Sequence, residues 1–304
     1  MSNSTRTPEQ ECSYLEGCSA TELIILSRVK DLGGFSVRRL LPTTERKMVG
    51  PWIFFDHMGP ANFPAGQGVN VRPHPHVNIA TVTYLFEGEI LHRDSVGSYQ
   101  PIRPGDLNLM VCGRGIVHSE RERDEVNSVP HSLHGLQLWM ALPERDEEVD
   151  PSFHHYPEAS IPTAIVGDVP IRVMIGQAYG LTSPVKTFAE TLYVEAHLQP
   201  GQSLVLPEAQ ERAVYVAGGR VQALDTQLPE HSMTVFKPEA KVVLEATRES
   251  RIAIIGGEKF NKRFIEWNFV SSRKERIEQA KQDWKNRNFP LVMGDEEEFI
   301  PFPE

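Results

Sequence analysis

Apolar residues recur at alternate positions in short runs along most of the chain, and Gly, Pro and Asp break the runs. Thr81-Val-Thr-Tyr-Leu-Phe86 concentrates β-branched and aromatic residues, the mix that suits a pleated, half-buried surface. Glu87-Gly88 then offers a turn, and Glu89-Ile-Leu-His-Arg93 reads as the returning strand. Pro104-Gly-Asp106 is a second turn signal, because Gly and Asp tolerate turn backbone angles. Beyond it Leu107, Leu109 and Val111 fall on one face of a strand, and Asn108, Met110 and Cys112 on the other. Leu136-Gln-Leu-Trp-Met-Ala141 is another strand. Strands this short and evenly spaced predict an all-β sandwich or barrel.

A second block follows Asp150-Pro151 and Ile161-Pro162, with strands expected near 171–175, 191–197, 213–216, 233–236 and 251–255. It echoes the first. Val214-Tyr-Val-Ala-Gly-Gly-Arg220 matches Thr83-Tyr-Leu-Phe-Glu-Gly-Glu89 at an offset of 131 residues. The repeat predicts two barrels of one design. The C-terminus changes period. Ser272-Arg-Lys-Glu275 has capping-box form, and Ile277, Ala280 and Trp284 follow at helical spacing. An amphipathic helix of about four turns is expected before Pro290, with its apolar stripe docked on a barrel. Pro301 and Pro303 oppose a helix in the last residues, which read as an extended strap. The expected division is an N-terminal barrel over 1–150, a C-terminal barrel over 151–265, and helix and strap over 266–304.

Composition narrows the function classes. The formal net charge of −10 gives no footprint for nucleic-acid phosphate. No apolar run reaches membrane-spanning length, and the N-terminus has no secretory pattern, so a cytoplasmic protein is expected. The three cysteines, Cys12, Cys18 and Cys112, are too few and too unevenly spaced for a disulfide frame or a zinc ribbon. Cys112 reads as a small core residue.

The candidate chemistry lies in two pairs. In a strand, residues i and i+2 share a face, so His74 and His76 of Pro73-His-Pro-His76 converge if that face is a barrel interior. Alone, such a pair is weak evidence for a metal, and surface or core histidines explain it more often. His118 and Glu120 have the same spacing, after a Gly113-Arg-Gly115 turn that lets the backbone pass close to a site. On neighbouring strands the two pairs would gather three imidazoles and one carboxylate around one point; otherwise His118 and Glu120 are a polar pair at a strand edge. That donor set suits iron(II), zinc, copper, nickel or manganese. Of the other histidines, His57 reads as a hydrogen-bonded core residue and His92 as a partner that orients a ligand imidazole. His131 and His134 read as solvent-facing. His154 and His155, being adjacent, point to opposite faces. The run Glu144-Arg-Asp-Glu-Glu148 reads as a solvated loop face.

These stretches together resemble the pirin family. Gly68 followed by His74-x-His76 and Gly88 is similar to the first cupin motif, and Gly113-x-Gly115-x-x-His118 to the second. The likeness extends through Phe54-Phe-Asp-His-Met-Gly-Pro60, Pro104-Gly-Asp106 and Trp267-Asn-Phe-Val-Ser-Ser272. It implies a bicupin whose N-terminal barrel alone holds a metal, usually iron, on His74, His76, His118 and Glu120. Val205, Pro207 and Val243 stand where the histidines would be in the second half, so no equivalent ligand set is expected there. One departure concerns Val77-Asn-Ile-Ala80, where other pirins often carry Arg-Gly-Phe-Glu; a reshaped pocket mouth is the expected consequence. The resemblance implies one of two functions. The first is oxidation of flavonols such as quercetin by dioxygen, with Glu120 as ligand and general base. The alternative is a non-enzymatic, iron-dependent, redox-sensitive regulator that binds another protein.

Overall fold

The computed structural model describes residues 20–31, 34–224 and 226–303. Cys12 and Cys18 lie outside the described residues. Contacts divide the chain into two compact units, one comprising residues 28–161, 185–189 and 260–303, the other residues 20–27, 162–184 and 190–259. This grouping differs from the division at 150 and 265 expected from the sequence. Residues 20–27 fall with the C-terminal half because Thr21–Leu26 pairs antiparallel with Ser232–Phe236. Residues 260–303 fall with the N-terminal half.

Both units are built alike, each from a seven-stranded and a four-stranded antiparallel sheet among the described residues. In the N-terminal unit the large sheet runs Ser152–Tyr156, Leu107–Val111, Ile79–Glu87, His131–Ala141, Trp52–Phe63, Ser36–Leu41, Arg28–Asp31. In the C-terminal unit the order is Thr21–Leu26, Ser232–Phe236, Glu211–Gly218, Ser250–Gly257, Thr191–Leu198, Val169–Ile175, Thr163–Val166. The repeat seen in the sequence therefore occupies the third place of each sheet. Its turn glycines coincide in role. Gly88 and Gly219 have φ of +88° and +92°. A Cβ on either would meet a backbone oxygen, Ser132 O at 2.2 Å or Glu249 O at 2.1 Å. The all-β reading with two barrels and a C-terminal helix is borne out.

Strand ends run further than the apolar pattern suggested. The strand expected over 136–141 begins at His131, because polar Ser132 and His134 still pair with the neighbouring strands. Leu107–Val111 is buried along its whole length. The helix Lys274–Lys285 buries Ile277, Ala280 and Trp284 as expected. Its capping box does not form. The helix starts from Arg273, and the Ser272 hydroxyl donates instead to Glu147 Oε2 at 2.9 Å. That contact overturns a second expectation. Glu147 lies in the run read as a solvated loop face, yet it is 1 % exposed. It accepts hydrogen bonds from Ser271 and Ser272 and pairs with Arg263 at 3.2 Å. A buried carboxylate is tolerable only with such partners. The C-terminal segment forms no regular element, and Ile300 N donates to Pro73 O at 2.8 Å.

Candidate metal centre

The centre is built on two antiparallel strands of the small N-terminal sheet, Val71–His76 and Ile116–Arg121. Their register sets His118 directly opposite His74, with His76 facing Ile116. The glycine turn that delivers the second strand needs its glycine, since Gly113 has φ +47° and a Cβ there would lie 1.9 Å from Val149 O. His74, His76 and His118 are all buried, and one ring nitrogen of each lies within 4.8 Å of the others. The rings of His74 and His118 are 4.3 Å apart, centre to centre.

Hydrogen bonding prepares these rings for a cation. His74 Nδ1 donates to Arg72 O at 2.9 Å, which fixes the tautomer and leaves the Nε2 lone pair free. Among the described residues His118 has no hydrogen-bond partner at either nitrogen, and His76 has none at Nδ1. An orphaned buried polar group costs about 1–3 kcal/mol, and a cation that takes one nitrogen from each ring would relieve part of that cost. Burial also removes the competing proton. It pulls His74 down to about 4 and holds His76 and His118 well below the ordinary imidazole value, with the neighbouring imidazoles pushing the same way. The three side chains therefore present neutral nitrogen donors and fit a divalent transition metal.

Glu120 stands apart from this trio. The pairing with Val71–His76 slips by one residue between His118 and Glu120, so that Glu120 faces Val71. Such a bulge re-aims the side chain beyond it. The carboxylate is not one of the group whose ligand atoms lie within 4.8 Å of one another. It does line the same cavity, and burial pushes its carboxyl up to about 7.

The cavity holds about 330 Å³. Its walls are apolar and aromatic: Trp139 lies edge-on to His76 at 4.8 Å and stacks on Phe54 at 3.9 Å. Arg39, Asp56 and Gln137 add polar groups that the sequence reading did not single out. The signal was available, since Phe54, Asp56 and Met58 alternate along one strand as inward-facing residues must. Val77–Ala80 does not line the cavity; Asn78 turns inward and donates to Glu147 O at 2.5 Å, so the departure there does not reach the pocket wall.

The remaining histidines are placed as follows. His92 Nε2 donates to Asp94 Oδ2 at 2.9 Å, with its ring 5.3 Å from that of His118. Burial pushes the Asp94 carboxyl up, but hydrogen bonds from His92 and Ser98 outweigh it and hold it below the usual carboxylate range. His57 is a buried core residue whose Nε2 lies 2.7 Å from that of His134. His134 is thus not simply solvent-facing, and neither is His131, whose Nε2 bonds Glu122 at 3.0 Å. His155 bonds Asn108 while His154 bonds Ser152. Cys112 is a free, buried core residue.

Two like barrels with three convergent imidazoles in the first make this a bicupin. The chain belongs to the pirin family: the Pirin model matches residues 34–140 and the Pirin C-terminal cupin domain model residues 193–290. It is 48 % identical to a pirin-like protein of Caulobacter vibrioides, over 93 % of this chain and 99 % of that one. It is 32 % identical to human pirin, over 87 % and 91 % of the two chains. A quercetin 2,3-dioxygenase from Acinetobacter baumannii has the same fold, with TM-score 0.87 and 30 % identity over 95 % of this chain and 97 % of that one. No helix among the described residues is long and apolar enough to cross a membrane.

Proposed function

We propose that the protein is an iron(II)-dependent flavonol 2,3-dioxygenase of the quercetinase type, with His74, His76, His118 and Glu120 as the metal ligands. The observation that carries the reading is the trio of buried imidazoles, with His118 unpartnered at both nitrogens among the described residues, opening on a cavity with aromatic walls. Likeness to the Acinetobacter baumannii enzyme supports the choice of substrate. A cavity of about 330 Å³ with a few polar groups is of the kind that takes a small fused-ring compound.

Iron(II), when bound, supplies a Lewis-acidic, redox-active centre where a hydroxylated substrate and dioxygen react. The chain does the rest. Arg72 O holds the His74 ring in its donor orientation. Trp139 and Phe54 orient a flat ring system, while Val37, Met58 and Ile90 keep the wall apolar and limit water. Glu120 takes the proton of the flavonol hydroxyl, a role that needs a carboxyl inside the cavity. The partners on this reading are a flavonol-like molecule and dioxygen. The low cysteine count agrees with a cytoplasmic setting.

The test is oxygen consumption and carbon monoxide release with quercetin by iron-loaded protein, beside a metal-stripped control. Turnover that requires iron is expected. Oxygen uptake no greater than the control, at full iron loading, would remove the enzymatic reading.

A further inference from the structure

The inward face of the large N-terminal sheet carries a polar row that metal binding does not use. The strand register aligns Thr83 with Gln137, Gln137 with Asp56, and Asp56 with Arg39. The equivalent positions of the C-terminal unit, aligned by the same pairings, are Val214, Ile254, Val194 and Val173. All four are fully buried in that unit's aliphatic core. One barrel therefore fills this row with aliphatic side chains, and the other keeps it polar beside a cavity. Polar groups in such a place cost stability unless something pairs with them.

The pairing is uneven. Arg39 Nε and Nη2 donate to Asp56 Oδ1 and Oδ2 at 2.8 and 2.7 Å, so the Asp56 carboxylate is occupied. Arg39 also lies over the Phe54 ring at 4.4 Å, which fixes the plane of its guanidinium. Its Nη1 makes no hydrogen bond to any described residue. Gln137 Oε1 accepts from Thr83 Oγ1 at 2.9 Å, while its Nε2 makes no hydrogen bond among the described residues. Both side chains line the cavity of the three imidazoles. The row sits one inward position along the strand from Trp139, about 7 Å by strand rise. Two unfilled donors on side chains that line the cavity select an acceptor oxygen.

We propose that Gln137 Nε2 and Arg39 Nη1 form a second recognition subsite, which binds a carbonyl, carboxylate or ionised hydroxyl oxygen about one aromatic ring away from the oxygen that meets the imidazoles. The substrate class is then a flat, conjugated compound with oxygens at both ends. The proposal rests on the reading of this cavity as the substrate site, and it makes Gln137 and Arg39 specificity residues that take no part in oxygen chemistry. A charge-assisted hydrogen bond is about twice as strong as a neutral one, so an anionic oxygen is favoured.

The test compares two probes that differ only in a ring carboxylate, catechol and 3,4-dihydroxybenzoate. Their dissociation constants are measured by calorimetry on the metal-loaded protein. Wild type should prefer the carboxylate by at least about 10-fold. Gln137→Leu and Arg39→Met should each reduce that preference severalfold and leave the catechol constant unchanged. If Arg39→Met fails to fold because it strands the buried Asp56, Gln137→Leu decides. No preference in wild type, no binding of either probe, or a preference that both variants retain overturns the proposal. An intact, variant-sensitive preference in protein that consumes no oxygen with quercetin would remove the dioxygenase reading and leave the subsite standing.

Discussion

The two barrels of this chain share a plan and differ in what they point inward. In the N-terminal unit the small sheet pairs His74 with His118, both buried. In the C-terminal unit the corresponding small sheet pairs Leu204 with Leu244, at 1 % and 0 % exposure. The aliphatic pair joins a core of Val, Leu and Ile that needs no ligand. The imidazole pair, with His76, carries three ring nitrogens that have no hydrogen-bond partner among the described residues. One scaffold thus serves as a packed body in one copy and as a donor cage in the other. Fold explains the packing; only the residues of the site explain the chemistry.

The largest effect should come from deleting one donor. His118→Ala should abolish tight metal binding and bring oxygen uptake with quercetin to background, with metal content read by elemental analysis. Retention of a full equivalent of iron in that variant would place the ion elsewhere.

Next in size is Glu120→Gln, which keeps the side-chain volume and one oxygen but removes the base. It should fold, hold part of the metal, and lose about 10²–10⁴-fold in turnover. A variant that turns over at the wild-type rate would rule out the general-base role while sparing the enzyme.

Exchanging the two interiors sharpens the comparison through stability. Leu244→His buries an unpaired imidazole in an aliphatic core and should cost roughly 2–4 kcal/mol in urea unfolding. His118→Leu, in metal-free protein, removes two orphaned nitrogens and should be at least as stable as wild type. A loss in His118→Leu equal to that in Leu244→His would mean the histidines are structural.

The smallest effect is on pH dependence. Burial keeps the three imidazoles neutral in the folded protein, with His74 titrating near 4, whereas unfolded histidines take up protons below about 6.5. The unfolded state binds more protons in that window. Their contribution to the stability of the metal-free protein is therefore complete above about pH 6.5 and is lost as the pH falls towards 4. His118→Leu should flatten the profile between pH 7 and 5 by one imidazole's share. Unfolding curves of both proteins at the two pH values check this; identical slopes would contradict it.

Much of this was legible in the sequence, for reasons that are local. Period-two apolar runs with Gly turns marked the strands, and the Gly88 and Gly219 repeat marked the duplication. The i, i+2 histidines signalled a shared face because strand geometry alone puts them there. What escaped notice depended on partners distant in the chain. Composition could not show that Glu147 would be buried against Ser271, Ser272 and Arg263. Nor could spacing show that Ser272 would spend its hydroxyl on Glu147 instead of capping the helix. The row of Arg39, Asp56 and Gln137 exists only through the register of three strands. The pattern alignment also paired Val205 with Val243 as the counterparts of His74 and His118. They do pair, but they are 60 % and 43 % exposed; the inward pair is Leu204 and Leu244, one residue away. A shift of one residue exchanges the faces of a strand, and only the structure shows which face is inside.

The central claim is that one barrel is a metal cage and its twin is not. Anomalous diffraction at the iron edge, on crystals of iron-loaded protein, tests it most directly. The account predicts a single strong peak among His74, His76 and His118, with nitrogen distances of about 2.0–2.3 Å and the Glu120 carboxylate turned to the ion. A peak away from these side chains, or a second of equal strength inside the C-terminal barrel, would contradict it.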